Sequence, residues 1–305
     1  MLDICTKRVA LITGKGGVGR TTLAAALARA AAARGIRVLL TEIGEPDGDY
    51  TPLARIFGRE TFPGDPVALE PNLMGCTLWP RRGHEMFFRR VIPVGPVVRA
   101  ANNSGALRKL LDSAPSFREM GVFYHMFWLL EQTRKDGEHV HELVILDMPA
   151  SGHTLGLTGL RDRLKALMPS GPIARVLDDG APYFTDPERT GAYIVTLPET
   201  LPVTECLELA EGLRANNTPV GGIFVNRMLP DPFTEEERAA LQPYADHDLY
   251  GLARFRQVPA GEEALALLRE RTSLPIHVVP EIAQTGSALI DDIASTLANE
   301  EAQCA

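Results

Sequence analysis

The residues best suited to chemistry cluster where the apolar run Leu11–Thr13 enters Gly14, Lys15, Gly16, Gly17, Val18, Gly19, Arg20, Thr21 and Thr22, ahead of an alanine-rich stretch. Glycines at 14, 16, 17 and 19 let the backbone curl so that successive N–H groups point inward. A helix opening directly behind them adds the positive end of its dipole. Strand, loop and helix together predict a phosphate-binding loop that cradles a triphosphate, with the Thr21 hydroxyl placed to ligand Mg²⁺ and Thr22 within reach of an inner phosphate. A second run, Leu143–Asp147 followed by a loop containing Gly152, reads as a buried strand ending in a carboxylate. Asp147 stands where an acidic group holds Mg²⁺ through water, and Gly152 offers a backbone N–H to a γ-phosphate.

Such groups need a scaffold. Apolar runs bounded by turns alternate with helical stretches, the pattern of a parallel sheet covered on both faces. Strands are predicted at Arg8–Thr13, Val38–Glu42, Leu143–Asp147, Ala192–Leu197, Gly221–Val225 and Ile276–Val279. Helices are predicted at Thr21–Ala33, Thr154–Met168, Val203–Asn216, Thr234–Tyr244, Glu262–Arg271 and Ser287–Ala298. No internal repeat is visible, so residues 1–305 read as one α/β module. Residues 80–135 do not read as sheet. They are rich in Met86, Phe87, Phe88, Phe117, Met120, Phe123, Tyr124, Met126, Phe127 and Trp128, with prolines and glycines at 93, 95, 96, 105, 115 and 121. That composition predicts a helical insertion, its apolar groups forming either core or a groove for an apolar partner.

The 305 residues, 45% of them hydrophobic, can bury one large core. A net charge of −8 argues against a general nucleic-acid binder. Strand-like sequence from Arg8 leaves no room for a signal peptide, and no apolar run approaches the ~18 residues of a membrane helix, so a cytoplasmic protein is expected. Cysteines at 5, 76, 206 and 304 are widely spaced and suggest neither a metal site nor a disulfide framework.

The run from Gly14 to Thr22, with lysine directly after the first glycine, resembles the deviant Walker A of the MinD/ParA, nitrogenase-iron-protein and ArsA/GET ATPases. The run from Asp147 to Leu155 resembles the switch II of the ArsA/GET family, and further resemblance covers most of the chain. The resemblance implies a P-loop fold, Mg·ATP as ligand, and a homodimer or a heterodimer with a homologous ATPase subunit. In that arrangement Lys15, which has no evident local carboxylate partner, reaches the nucleotide of the opposite subunit. It also implies that Asn226 hydrogen-bonds the adenine edge and that Pro280 and Glu281 lie on the loop closing over the base. Two positions depart from the family. Arg20 replaces the P-loop lysine with a bulky planar fork, so hydrolysis is expected to be slow. Glu42 replaces the switch I aspartate that orients the attacking water, with Asp47 and Asp49 as alternatives on the next loop.

By the same resemblance the chain is a dimeric ATPase switch handling a protein client, with residues 84–130 as a candidate hydrophobic client surface. The alternatives are a nucleotide-binding subunit with weakened hydrolysis and an arsenite or anion-pump subunit. Scattered cysteines speak against the pump, and the short acidic stretch Asn299–Ala305 against a membrane-positioning ATPase.

Overall fold

The computed structural model describes residues 3–44, 51–91, 115–167, 169–245 and 252–304. Its strands are β1 (Val9–Gly14), β2 (Val38–Ile43), β3 (Val67–Glu70), β4 (Leu73–Leu78), β5 (Leu143–Asp147), β6 (Thr190–Thr196), β7 (Val220–Met228) and β8 (Ile276–Pro280). They form one sheet in the order β3-β4-β2-β5-β1-β6-β7-β8, parallel throughout except for the β3–β4 pair at one edge. The helices are α1 (Arg20–Ala33), α2 (Pro52–Ile56), α3 (Pro80–Val91), α4 (Pro115–Leu130), α5 (Ser151–Thr158), α6 (Leu160–Leu167), α7 (Pro172–Gly180), α8 (Pro182–Thr185), α9 (Thr200–Ala215), α10 (Glu235–Leu241), α11 (Leu252–Arg271) and α12 (Gly286–Cys304).

Both faces of the sheet are covered, which is why its central strands β1, β5 and β6 are buried at every position rather than at alternate ones. Ala10 and Ile12 of β1 face Leu23 and Leu27 of α1 and Ile290 and Leu297 of α12. Val9 and Leu11 face the opposite way, into a core shared with Phe123 and Phe127 of α4, Leu213 of α9 and Leu265 of α11. The alanines of α1 are explained by this packing. Ala24, Ala25, Ala26 and Ala28 are fully buried, and only methyl side chains let the helix lie close to its neighbours on so many sides.

Each expected strand and helix has a counterpart, Leu143–Asp147 with the bounds expected and the others with shifted, extended, shortened or broken ones. The helix predicted over 154–168 is two, α5 and α6, separated at Gly159, where a Cβ would press on Arg163 and Asn216. The helix predicted from Glu262 begins at Leu252 and carries Pro259 within it. Two strands were not expected at all. β4 contains Gly75, whose Cβ would crowd Leu69 and Phe62, and β3 is a four-residue edge strand.

Within the expected insertion, α3 and α4 are helical and pack on each other. Phe87, Met120, Phe123, Tyr124, Met126 and Phe127 are buried and continuous with the main core, while Met86, Phe88, Phe117 and Trp128 are only partly buried against it. The two helices meet at Gly83 and Gly121, whose absent side chains permit backbone contact: a Cβ on Gly83 would strike the Gly121 carbonyl, and one on Gly121 the Pro80 carbonyl. At its other side α4 reaches α5 and α6. Glu119 pairs with Arg163 at 2.8 Å and occupies the space that a side chain at Gly156 would need. Positions 92–114 lie outside the described residues.

Candidate functional site

Parallel strands end on one side of a sheet, and ligand sites in such folds form outside those carboxyl ends. β1 ends in Gly14, its neighbour β5 in Asp147, and β2 on the far side of β5 in Ile43. Registration sets Ile12 beside Asp147, and Asp147 beside Glu42. The glycine loop and the two carboxylates, distant in sequence, are thereby neighbours.

The loop has the shape its glycines predict. Gly14, Gly17 and Gly19 have φ of 147°, 84° and 94°, values that side-chain-bearing residues rarely adopt. Gly14 also lies against β6, where a Cβ would collide with the Val195 carbonyl. Lys15, Gly16 and Gly17 are exposed at the tip, whereas Val18 is buried and anchors the loop. Gly19 is the N-cap of α1, so Arg20, Thr21 and Thr22 form its first turn, where backbone amides have no intrahelical acceptor. Asn226, near the end of β7, donates from Nδ2 to the Val18 carbonyl at 2.8 Å and fills the space beside Gly19. The residue expected to read a base edge is thus buried beneath the loop as a brace, with one of its N–H groups already spent.

Thr21 Oγ1 donates to Asp147 Oδ2 at 2.6 Å, while Asp147 Oδ1 is buried without a hydrogen-bond partner. Burial pushes the Asp147 carboxyl up to about 6, against the pull of the Thr21 hydrogen bond and the nearby Arg20 charge. A hydroxyl paired with a half-satisfied buried carboxylate fits a hard divalent cation, which would supply the missing partner and favour the ionised form. Glu42 is also buried. Its Oε2 accepts from Leu53 N at 3.1 Å, capping the start of α2, and its Oε1 has no partner. Burial raises its carboxyl to about 7, with Asp147 adding to the rise. Asp47 and Asp49 lie outside the described residues.

Arg20 does not reach over the loop. Its Nη1 donates to the Met148 carbonyl at 2.6 Å, tying the start of α1 to the segment that follows Asp147. That segment is held from a second direction: Thr154 bonds Thr13 through their hydroxyls at 2.9 Å and donates to the Pro149 carbonyl at 3.0 Å. Gly152 sits in the first turn of α5. Neither threonine was singled out from sequence as a site residue, and their pairing spans 141 positions.

The expectation for Lys15 needs correcting. It is not without a local partner, because its Nζ lies 2.9 Å from Glu205 Oε1 on α9. Nothing near either residue in sequence announces that pair.

Beside Asn226 a cleft of about 690 Å³ opens, lined by Leu197, Pro198, Arg227, Arg254, Val258 and Glu281 among others. Arg227 is held at φ 59°, a costly conformation for an arginine and one that concentrates at ligand sites. Pro280 ends β8 opposite Met228. Glu281 donates its N–H to the Met228 carbonyl at 2.8 Å and pairs with Arg254 at 2.7 Å across the cleft. The volume falls within the range of small-molecule sites.

Residues 7–175 match the model of a family described as anion-transporting ATPase. The ATPase BagA of Mycobacterium tuberculosis is 28% identical over 235 residues, covering 73% of this chain and 66% of that protein. An arsenical pump-driving ATPase of Escherichia coli is 30% identical over 231 residues, covering 72% of this chain and 34% of the relative. The chain therefore spans just under two thirds of the mycobacterial relative and about one third of the pump-driving one.

Proposed function

The chain belongs to the anion-transporting ATPase family, and from that premise we propose that it is an Mg·ATP-dependent switch, closed by ATP against a second ATPase subunit and reopened by hydrolysis. The observation that carries the reading is the Thr21–Asp147 contact beneath the exposed loop amides, with Asp147 Oδ1 still unpartnered. The amides of residues 15–17 and the first turn of α1 bind phosphate oxygens, and the cleft beside Asn226 takes the base. Thr21 and Asp147 hold Mg²⁺, which when bound neutralises charge on the phosphates. Glu42 is the group available to hold a water or its proton, and Arg20 and Lys15 supply positive charge to the transferring group. The second subunit is another copy or a homologue.

The cargo is a protein client or partner. The groove between α3 and α4 that supports this measures about 380 Å³ and is lined by Arg82, Met86, Arg89, Arg90, Tyr124 and Trp128, an apolar floor with a basic rim. A second reading, a nucleotide-binding subunit with weakened hydrolysis, is favoured by Arg20 being occupied with the Met148 carbonyl. An arsenite role has less support: among the described residues no cluster of His, Cys, Asp or Glu fit to hold a metal occurs, and Cys76 and Cys206 are buried apart. Among them too, no helix is long and apolar enough to cross a membrane, in keeping with action in the cytoplasm.

Calorimetry with Mg·ATP and Mg·ADP, paired with phosphate release, tests the reading. Binding that needs Mg²⁺, loses that need in Asp147→Asn, and turns over below about 1 s⁻¹ is expected. No binding of either nucleotide refutes it.

A further inference from the structure

Lys15 is the most exposed charged group of the phosphate loop, yet its side chain is not directed over the loop mouth. It folds back onto α9, where its Nζ is 2.9 Å from Glu205 Oε1, and the pair closes over a small space bounded by Gly14, Val18, Thr196 and Cys206. Both partners are partly open to solvent, with Lys15 46% and Glu205 26% exposed at the side chain. Leu201 lies four residues before Glu205 on α9, so it shares that helix face. At 68% exposure it is one of two large hydrophobic side chains left to solvent among the described residues. A lysine, a carboxylate and an uncovered leucine thus share one surface beside the phosphate loop. Such a surface suits burial against a second copy of the chain.

We infer that Glu205 is an intramolecular latch: it holds Lys15 within its own subunit, and Lys15 must leave it to engage the nucleotide of a second copy. The inference rests on the dimeric-switch reading above. A Lys15 side chain folded onto its own α9 must swing away from Glu205 to extend across an interface to a phosphate, so each pair resists closure until the partner's triphosphate outcompetes it. The more highly charged ligand wins where a diphosphate does not, which makes closure selective for ATP over ADP. Because the pair is partly exposed, the bias is small, about threefold for each pair and about tenfold for the two pairs of a symmetric dimer. Glu205 is therefore a positioning residue, acting only through Lys15.

Sedimentation equilibrium of the full chain with Mg²⁺ and a non-hydrolysable ATP analogue provides the test, on wild type, Glu205→Gln, Glu205→Asp, Lys15→Ala and the Glu205→Gln/Lys15→Ala double variant. Thermal melting of each variant confirms folding. Glu205→Gln is expected to dimerise at about tenfold lower protein concentration with the ATP analogue, and to dimerise measurably with ADP. Glu205→Asp should return toward wild type. In the Lys15→Ala background the Glu205 substitution should have no effect. If Lys15→Ala abolishes closure but Glu205→Gln leaves it unchanged or weakens it, the latch is overturned and the dimeric switch stands. If wild type and every variant remain monomers under all nucleotides, both fall.

Discussion

Arg20 offers the sharpest test of how this site is tuned. Its guanidinium donates to the Met148 carbonyl at 2.6 Å from a half-buried position, so a nucleotide that draws the whole fork over its phosphates breaks that bond. A hydrogen bond from a charged donor is worth about 1.5–3 kcal/mol when fully buried, and half-burial brings the figure to about 1 kcal/mol. Arg20→Lys replaces the fork with a compact ammonium that cannot hold the carbonyl in the same way. The nucleotide-free protein should lose about 1 kcal/mol, seen as a fall of roughly 2 °C in Tm for a chain of this size. Binding should gain what the free state no longer spends, so Mg·ATP affinity rises about fivefold. Phosphate release should quicken as well, because a point charge follows the developing charge on the transferred group more closely. Calorimetry, single-turnover phosphate release and melting curves on both proteins measure the three quantities. A lysine variant that binds more weakly and hydrolyses more slowly would refute the reasoning and make Arg20 an adapted part of the mechanism.

Gly14→Ala should destabilise the fold by about 3 kcal/mol, since the new Cβ meets the Val195 carbonyl in a strained backbone, whereas Gly16→Ala, with open space around it and no positive φ, should unfold within about 0.5 kcal/mol of wild type; paired denaturant titrations distinguish the two. Asn226→Asp replaces a donor to the Val18 carbonyl with an acceptor inside the core, so unfolding free energy should fall by about 2 kcal/mol and nucleotide affinity with it; an unchanged midpoint would show that the brace is dispensable. Burial holds His125 and His141 down to about 4, from an ordinary 6.5. Unfolded chains take up these protons first, so the contribution is whole above pH 6.5 and is lost as pH falls toward 4, at up to about 1.4 kcal/mol per pH unit for each histidine. Denaturation across that range should show this slope, reduced in His125→Gln.

How much of this was legible in sequence varied with distance along the chain. The loop from Gly14 to Thr22 declared itself because its chemistry is local: closely spaced glycines, a hydroxyl and a helix start are needed together. Asp147 was legible for the same reason, at the end of a continuous apolar strand. β3 and β4 were not, because one is a four-residue edge strand and the other carries a glycine required by Phe62 and Leu69, so neither shows the usual strand composition. The rings of α3 and α4 read equally well as core or as groove, since periodicity reports that a face is apolar and not what covers it. The Lys15–Glu205 and Thr13–Thr154 pairs join positions 190 and 141 residues apart. Only strand order brings them together, and no pattern in the chain encodes it.

The backbone contact of α3 with α4 at Gly83 and Gly121 has a mechanical consequence. Two helices separated by side chains can slide by exchanging rotamers, but two whose main chains touch have no such slack and must tilt as one beam. This beam is joined through Glu119 and Arg163 to α5 and α6, the first of which begins four residues after Asp147. From Glu119 to Trp128 α4 rises about 14 Å, so a tilt of about 5° about the Glu119 end carries Trp128 by about 1 Å. A small change of angle at that joint can therefore arrive at the groove around Met86 and Trp128 on the scale of a side-chain contact.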